Sequence, residues 1–288
     1  MIYLLLAIVG SGLIPVLFRG FADWRVNVFW AIPVNYLTCV IAGSIWSGHP
    51  LALTILPSQR WLWLAMLQGG ILAVNFFLLA YTAQRVGVSV AALASRLSVA
   101  IPSILAFLFY GDSFNAAKLT GLAAALLSLY LCTASTERDA TTRPLRLKLL
   151  PLLVFLTFGC YFIVIKYAQV HYLSENSFHD YVMAGFLFGF FTALAICSAR
   201  RLLVLKQFRL VDVVSGLILG VVNYVAVYAL VKALALEGWQ SSQLYPMYSV
   251  GVVAVSTGLA MLLFKERLSN IRKVGLIVGL VAVALLNR

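Results

Sequence analysis

Long apolar segments, separated by short polar loops, follow one another along the whole chain. Most of these segments have about 20 residues, the length that an α-helix needs to cross the hydrocarbon core of a bilayer. The pattern therefore predicts an all-α integral membrane protein with ten transmembrane helices. The first segment lacks the basic start and the cleavage site of a signal peptide, so we expect it to remain as a helix. The predicted spans are 2–18, 28–46, 61–83, 88–110, 117–133, 149–168, 178–197, 210–232, 240–264 and 271–287.

The longest polar loop divides these spans into five before it and five after it. An odd number of spans brings the second half into the membrane from the opposite side. The two halves are therefore predicted to be inverted repeats, related by a pseudo-two-fold axis in the membrane plane, as in many transporters. The predicted organisation is a five-helix repeat at 1–134, a connecting loop at 135–148 and a second five-helix repeat at 149–288.

A duplicated motif near the end of each half supports the repeat. The first copy is Tyr110-Gly111-Asp112-Ser113-Phe114 with Lys118 and Gly121, and the second is Phe264-Lys265-Glu266-Arg267-Leu268 with Arg272 and Gly275. The acidic, basic and small positions keep the same spacing in both copies. Small residues also recur four apart at Gly121/Ala125 and Gly275/Gly279. Such pairs predict close contact between membrane helices.

Composition strengthens the membrane interpretation. Hydrophobic residues make up 63% of the chain and charged residues 10%, whereas soluble domains contain roughly 45–50% apolar and 25% charged residues. The net charge of +12 would suggest a nucleic-acid partner in a soluble protein. Here the basic residues lie mostly in loops, and no basic motif with interleaved aromatic residues occurs. We therefore expect the lipid bilayer, and not nucleic acid, as the partner of these basic loops.

The basic loops also bear on orientation. Lys and Arg residues are concentrated after odd-numbered spans, for example at Arg19, Arg85 and Arg200. The positive-inside rule would place these loops in the cytoplasm and both termini outside the cell.

The two motif copies resemble the ends of the two halves in the drug/metabolite transporter superfamily, in its ten-span EamA-like branch. Both copies are similar to that family's Gly-Glu-Arg-Leu pattern followed by glycine. Pro102 resembles the proline of the family's fourth span. In the second half the nearest proline is Pro246, and Ser256 stands at the repeat-equivalent position.

The resemblance implies a ten-helix transporter with a central cavity. Spans 1–4 and 6–9 would surround the path, and spans 5 and 10 would support it. Members of the superfamily move small metabolites such as amino acids, sugars, nucleotide sugars or drugs. They are usually described with both termini in the cytoplasm, which disagrees with the charge distribution of this chain. The sequence therefore leaves the orientation open.

Arg96 is the charged residue that lies deepest in a predicted span, roughly 12 Å from the start of the fourth. An arginine at the centre of a membrane helix costs about 2.5 kcal/mol or more. All acidic residues lie in loops or at segment ends, so Arg96 has no evident ionic partner. We interpret it as the anchor for a carboxylate or phosphate, whose oxygens its planar fork binds in pairs. The alternative is a structural arginine that bonds backbone carbonyls or reaches the membrane surface.

Other polar residues recur near the middle of the predicted spans, including Ser11 and Asn35. Alone, such a residue more often bonds a neighbouring helix than a ligand. Together they predict a polar and aromatic pocket near the midplane, where transporter sites form. The candidate substrate-binding residues are Arg96, Asn75, Asn223, Tyr245, Tyr248, Gln243 and Tyr228.

The sequence contains no recognisable catalytic or metal-binding pattern. His49, His171 and His179 lie in or beside loops, and the four cysteines lie in apolar segments without metal-ligand spacing. We therefore expect no enzymatic activity, metal or cofactor. The absence of a carboxylate in the middle of any span also argues against cation/proton antiport.

These observations predict a multi-pass secondary transporter of the inner membrane. Its substrate would be a small anionic or zwitterionic metabolite, such as an amino acid or another carboxylate or phosphate solute, moved by alternating access. Two alternatives stay open at this point. One is a flippase for a lipid-linked anion, and the other is a membrane subunit or receptor that does not transport.

Overall fold

The computed structural model describes residues 2–54, 56–98, 101, 116–133, 145–173, 177–199, 209–234, 241–266 and 268–286. Within these ranges the structure is helical, and no strand occurs there. A short 3-10 turn at Leu56–Ser58 lies between the second and third helices. The α-helices of the described residues, numbered in chain order, are α1 (Ile2–Asp23), α2 (Val28–Ser47), α3 (Leu62–Arg85), α4 (Val88–Leu97), α5 (Ala116–Thr133), α6 (Leu145–His171), α7 (Phe178–Ala199), α8 (Leu210–Leu234), α9 (Ser241–Phe264) and α10 (Asn270–Leu286).

Six helical segments of the described residues are long and apolar enough to cross a membrane, which confirms the all-α membrane class. They are Ile2–Asp23, Val28–Ser47, Leu62–Arg85, Leu147–Ile165, His179–Ala199 and Leu210–Leu230. Shorter apolar helices lie at Val88–Leu97, Tyr248–Phe264 and Lys273–Leu285. The complete set of ten spans and its inverted symmetry remain predictions.

The fourth predicted span, 88–110, is described only in part. The helix α4 runs from Val88 to Leu97, and Pro102 and Asp112 lie outside the described residues. At the start of the second half, α6 begins at Leu145, inside the segment 135–148 that was expected to be a loop. Helical hydrogen bonding continues past an apolar segment because it satisfies the backbone without help from side chains.

The chain forms two compact units, and each takes segments from both halves of the sequence. The first unit comprises Met1–Arg19, Leu78–Gly159 and Val225–Arg288. The second unit comprises Gly20–Phe77 and Cys160–Tyr224. The first unit therefore contains α4, α5, α9 and α10, and the second contains α2 and α7.

In the first unit, α5 and α10 lie along each other, and α4 contacts both. Ser128 Oγ on α5 donates a hydrogen bond to the carbonyl oxygen of Gly275 on α10, at 2.6 Å. A Cβ atom added at Gly279 would lie 2.6 Å from both Leu93 Cδ1 and Ser128 Oγ. The small-residue contact predicted for Gly275 and Gly279 is thus confirmed.

Glycines also set the helix spacing in the second unit, where α2 packs against α7. A Cβ atom added at Gly69 on α3 would lie 2.5 Å from the carbonyl oxygen of Gly185 on α7. One added at Gly216 on α8 would lie 2.7 Å from the carbonyl oxygen of Ala31 on α2. These backbones approach closely because no side chain stands between them, as is common where lipid provides no hydrophobic drive for association.

One end of the first unit joins α1, α3 and α9 to the start of α4. A buried apolar cluster there contains Val16, Val88 and Ala260. Gln84 Nε2, near the end of α3, donates a hydrogen bond to the carbonyl oxygen of Phe18 at 2.8 Å. Helices that cross a membrane in alternation bring the ends of odd-numbered helices and the starts of even-numbered ones to the same face. The contacts bring the ends of α1, α3 and α9 together with the start of α4.

Candidate functional site

Arg96 lies in the last turn of α4, over the ring of Tyr248 on α9. The distance from Arg96 Cζ to the ring centroid is 4.8 Å, within the roughly 6 Å at which a cation is attracted to an aromatic face. Tyr248 is buried, at 6% exposure, and Arg96 is partly buried. Both belong to the first unit. The structure thus brings two of the candidate residues into direct contact.

A hydrogen bond from α1 holds Tyr248 at the far end of its ring. The Tyr248 hydroxyl oxygen lies 2.6 Å from Ser11 Oγ, and both side chains are buried. Glycines keep α1 and α9 close around this bond. A Cβ atom added at Gly12 would lie 2.9 Å from Val255 Cγ1, and one added at Gly251 would lie 2.7 Å from a side-chain atom of α1.

Arg96 keeps hydrogen-bonding capacity that the described residues do not use. Its Nε is buried and has no hydrogen-bond partner there. No carboxylate in the described part of the chain lies within ion-pair distance of the guanidinium. Ser89 Oγ, two turns earlier on the same face of α4, is likewise buried and without a partner. This arrangement suits a ligand that carries an anionic group with several acceptor oxygens.

Glu266 holds the other end of α4. The N-cap of α4 is Gly87, whose φ of +141° is rarely adopted by residues with side chains. The Val88 amide nitrogen donates a hydrogen bond to Glu266 Oε2 at 3.2 Å. A carboxylate at this position satisfies a free backbone amide and interacts favourably with the helix dipole. The acid of the second motif copy therefore fixes the start of the helix that carries Arg96.

Asn223 lies on α8 in the second unit and bonds to α2. Its Nδ2 donates a hydrogen bond to Asn35 Oδ1 at 3.3 Å and lies 3.6 Å from Cys39 Sγ. The Cys39 thiol donates to the carbonyl oxygen of Gly220 at 3.4 Å. All three side chains of this group are buried. Asn223 thus makes the helix-to-helix contact that is the more common role for a polar residue in a membrane span.

Asn75 differs from Asn223, because its side chain has no partner among the described residues. It lies on α3 in the second unit, fully buried, with neither amide atom hydrogen-bonded. Gln68 Oε1, two turns earlier, is also buried and without a partner. An unpaired buried polar group costs about 1–3 kcal/mol. Asn75 therefore retains both a donor and an acceptor for a polar ligand or water.

For the three remaining candidates, the structure gives the helix on which each residue lies but not every side chain. Tyr228 lies on the part of α8 that belongs to the first unit and is partly buried. Gln243 and Tyr245 lie in the first turns of α9, but their side chains fall outside the described residues. The candidate set is divided between the two units, and its assembly into one pocket stays a prediction.

Ser11 and Glu266 contribute to the site although neither was among the candidate binding residues. Ser11 stands beside Gly12 in an apolar helix, a pattern that indicates a helix contact but not its partner. Glu266 was recognised only as part of a repeated motif. Both make contacts with residues far away in the sequence, which local patterns do not reveal.

Comparison with known proteins identifies a domain in the first half of the chain. Residues 1–134 match the EamA-like transporter family, which confirms the resemblance inferred from the motifs. Together with the apolar helices, this match makes the chain a multi-pass membrane protein. An uncharacterized protein of Haemophilus influenzae is 26% identical over 289 residues, covering 97% of this chain and 95% of that protein. The similarity to that protein therefore continues through the second half.

Proposed function

Because an EamA-like transporter domain covers residues 1–134, we propose that this protein is a secondary transporter of the inner membrane. Its substrate is a small anionic or zwitterionic metabolite, such as an amino acid or another carboxylate or phosphate solute. Transport proceeds by alternating access, with two inverted five-helix halves at 1–134 and 149–288 around a midplane site. Arg96 binds the anionic group of the substrate.

The proposal rests on Arg96, a charged residue with an aromatic neighbour but no anionic partner among the described residues. A guanidinium in a membrane span costs about 2.5–3.5 kcal/mol on insertion scales. Contact with the Tyr248 ring recovers about 2 kcal/mol when both groups are desolvated. The ring supplies no acceptor lone pair to the guanidinium, and the buried Nε has no hydrogen-bond partner among the described residues. A carboxylate or phosphate supplies both the opposite charge and the acceptors.

Asn75 supports a polar substrate for a separate reason. Its amide is fully buried and unpaired among the described residues, so it is able to bond an uncharged polar group of the solute. We assign Asn223, Tyr228, Gln243, Tyr245 and Tyr248 to the surroundings of the substrate.

The test is solute counterflow by the purified protein in proteoliposomes. The solutes are L-alanine, L-glutamate, succinate and glycerol 3-phosphate, with choline and glucose as cationic and neutral comparisons. We expect counterflow of at least one carboxylate or phosphate solute, and none of choline. Arg96→Gln should reduce it by 10-fold or more, because a charge-assisted hydrogen bond contributes about 1.5–3 kcal/mol. Arg96→Lys should retain part of the activity.

Arg85→Gln is the matched control. Arg85 also lies over a tyrosine ring, with its Cζ 5.7 Å from the Tyr81 centroid, but it is exposed at the end of α3. Its loss should leave counterflow unchanged. Full activity of Arg96→Gln, or equal losses in both variants, would contradict the anchoring role. Counterflow of choline but of no anionic solute would contradict the proposed substrate class.

A further inference from the structure

We propose that Ser11 is a positioning residue for Arg96 and that it acts through Tyr248. The inference rests on the proposed transport function, because it concerns how the anion-binding group is held. Ser11 itself need not contact the substrate. Its hydroxyl fixes the aromatic ring on which the guanidinium lies.

The geometry of Tyr248 supports this role. A tyrosine ring is attached to the backbone at one end and carries its hydroxyl at the other. With Ser11 Oγ 2.6 Å from that hydroxyl, the ring of Tyr248 is held at both ends. A cation is attracted to the ring face and not to its edge. Holding both ends of the ring's long axis fixes the position of the ring centroid, from which Arg96 Cζ lies 4.8 Å.

The bond also makes the position of Arg96 depend on α1. Gly12 and Gly251 allow α1 and α9 to approach closely beside the bond. Leu4, Ala7 and Val252 pack with Tyr248 in one buried cluster. A displacement of α1 from α9 would break the Ser11 bond and release the ring. Arg96 would then lose the surface that orients it.

A second buried serine shows what a purely local role looks like. Ser256 on α9 is fully buried, and its hydroxyl donates to the carbonyl oxygen of Val252 on its own helix at 2.7 Å. Ser11, in contrast, bonds to another helix and to the residue that contacts Arg96. Ser256→Ala is therefore the matched control for Ser11→Ala.

The first measurement uses no ligand and follows the thermal unfolding of the purified protein. The variants are Ser11→Ala, Arg96→Gln and the double variant. Because the two residues share Tyr248 as a partner, we expect the double variant to lose less stability than the sum of the single losses. Ser256→Ala and Arg96→Gln should be additive. Additive losses for Ser11 and Arg96 would overturn the proposal whether or not the protein transports.

The second measurement is counterflow, in proteoliposomes, of the same four carboxylate or phosphate solutes. Ser11→Ala and Tyr248→Phe should each raise KM about 3- to 10-fold, as the loss of one hydrogen bond allows. Vmax should stay within about twofold of its value in the unsubstituted protein. The double variant, Ser11→Ala with Tyr248→Phe, should have the same KM as either single variant. Ser11→Thr, which keeps the hydroxyl, should restore KM. A loss of Vmax with unchanged KM would indicate a merely structural serine. Counterflow absent from the unsubstituted protein would contradict the transport function, and the unfolding cycle would still decide the role of Ser11.

Discussion

Removal of the Glu266 carboxylate should destabilise α4 and, with it, the helix end that carries Arg96. In Glu266→Ala the Val88 amide loses its acceptor, which lies 3.2 Å away in the protein. Loss of a side-chain acceptor at a helix N-terminus costs about 0.5–2 kcal/mol, and loss of the charge at the dipole adds about 0.3–1 kcal/mol. We expect a total of about 1–3 kcal/mol. Glu266→Gln, which keeps an acceptor oxygen but no charge, should lose about half as much.

Gly87, the N-cap residue of α4, provides a second test of the contact with Glu266. Its φ of +141° lies in a region used essentially by glycine alone, and occupying such a region with a side chain costs about 1–3 kcal/mol. In Gly87→Ala the new Cβ would also lie 2.6 Å from Glu266 Oε1. Gly87→Ala should therefore be less harmful when Glu266→Ala has removed that contact. The two substitutions should be coupled.

Reversible unfolding of the purified protein, or its thermal unfolding in detergent, measures these losses. Lys273→Ala, at an exposed position on α10, is the control and should change stability by less than about 0.5 kcal/mol. If Glu266→Ala is as stable as the unsubstituted protein, the capping role is refuted. If Gly87→Ala costs the same with and without Glu266, the close contact between them does not exist.

Two further substitutions test the packing of each unit. In the first unit, Gly279→Ala should cost about 1–3 kcal/mol in the same unfolding assay, because its Cβ would overlap neighbouring atoms at 2.6 Å. Its control is Gly258→Ala, which should be neutral because nothing lies within 4 Å of the added Cβ. Asp212→Asn should cost about 1.5–3 kcal/mol, because the fully buried carboxylate accepts the Asn27 amide at 2.8 Å. Arg209→Ala, which removes its half-exposed partner, should cost less than about 1 kcal/mol, and a larger loss for Arg209 than for Asp212 would contradict this order.

The helices were predictable from sequence because the bilayer imposes one length and one chemistry on them. A span must be apolar and must satisfy its own backbone, so α1, α2 and α3 could be located from hydropathy alone. The helix faces were much harder to assign. One side of a membrane helix meets lipid and the other meets protein, and both are apolar, so the pattern carries little information about which side is buried.

The contacts within the candidate site were not predictable for a related reason. The sequence marked Arg96 as unusual because a buried charge is costly wherever it lies. It did not reveal that Tyr248 supplies the facing ring or that Ser11 holds the ring, because the three residues come from three different helices. Asn75 and Asn223 show the same limit. Both are mid-span amides, yet Asn223 is bonded to α2, whereas Asn75 is unpaired among the described residues.

The asymmetry between the two halves gives the contact of Arg96 and Tyr248 its significance. In the register set by the two motif copies, Arg96 corresponds to Val250 and Tyr248 corresponds to Ala94. The scaffold positions Gly121 and Gly275 are the same in both halves, so packing alone does not require the halves to differ. An arginine and a tyrosine that face each other at positions where their counterparts are apolar add a charge that packing does not need. A charge kept at such a cost fits a substrate that is itself asymmetric, with an anionic group at one end.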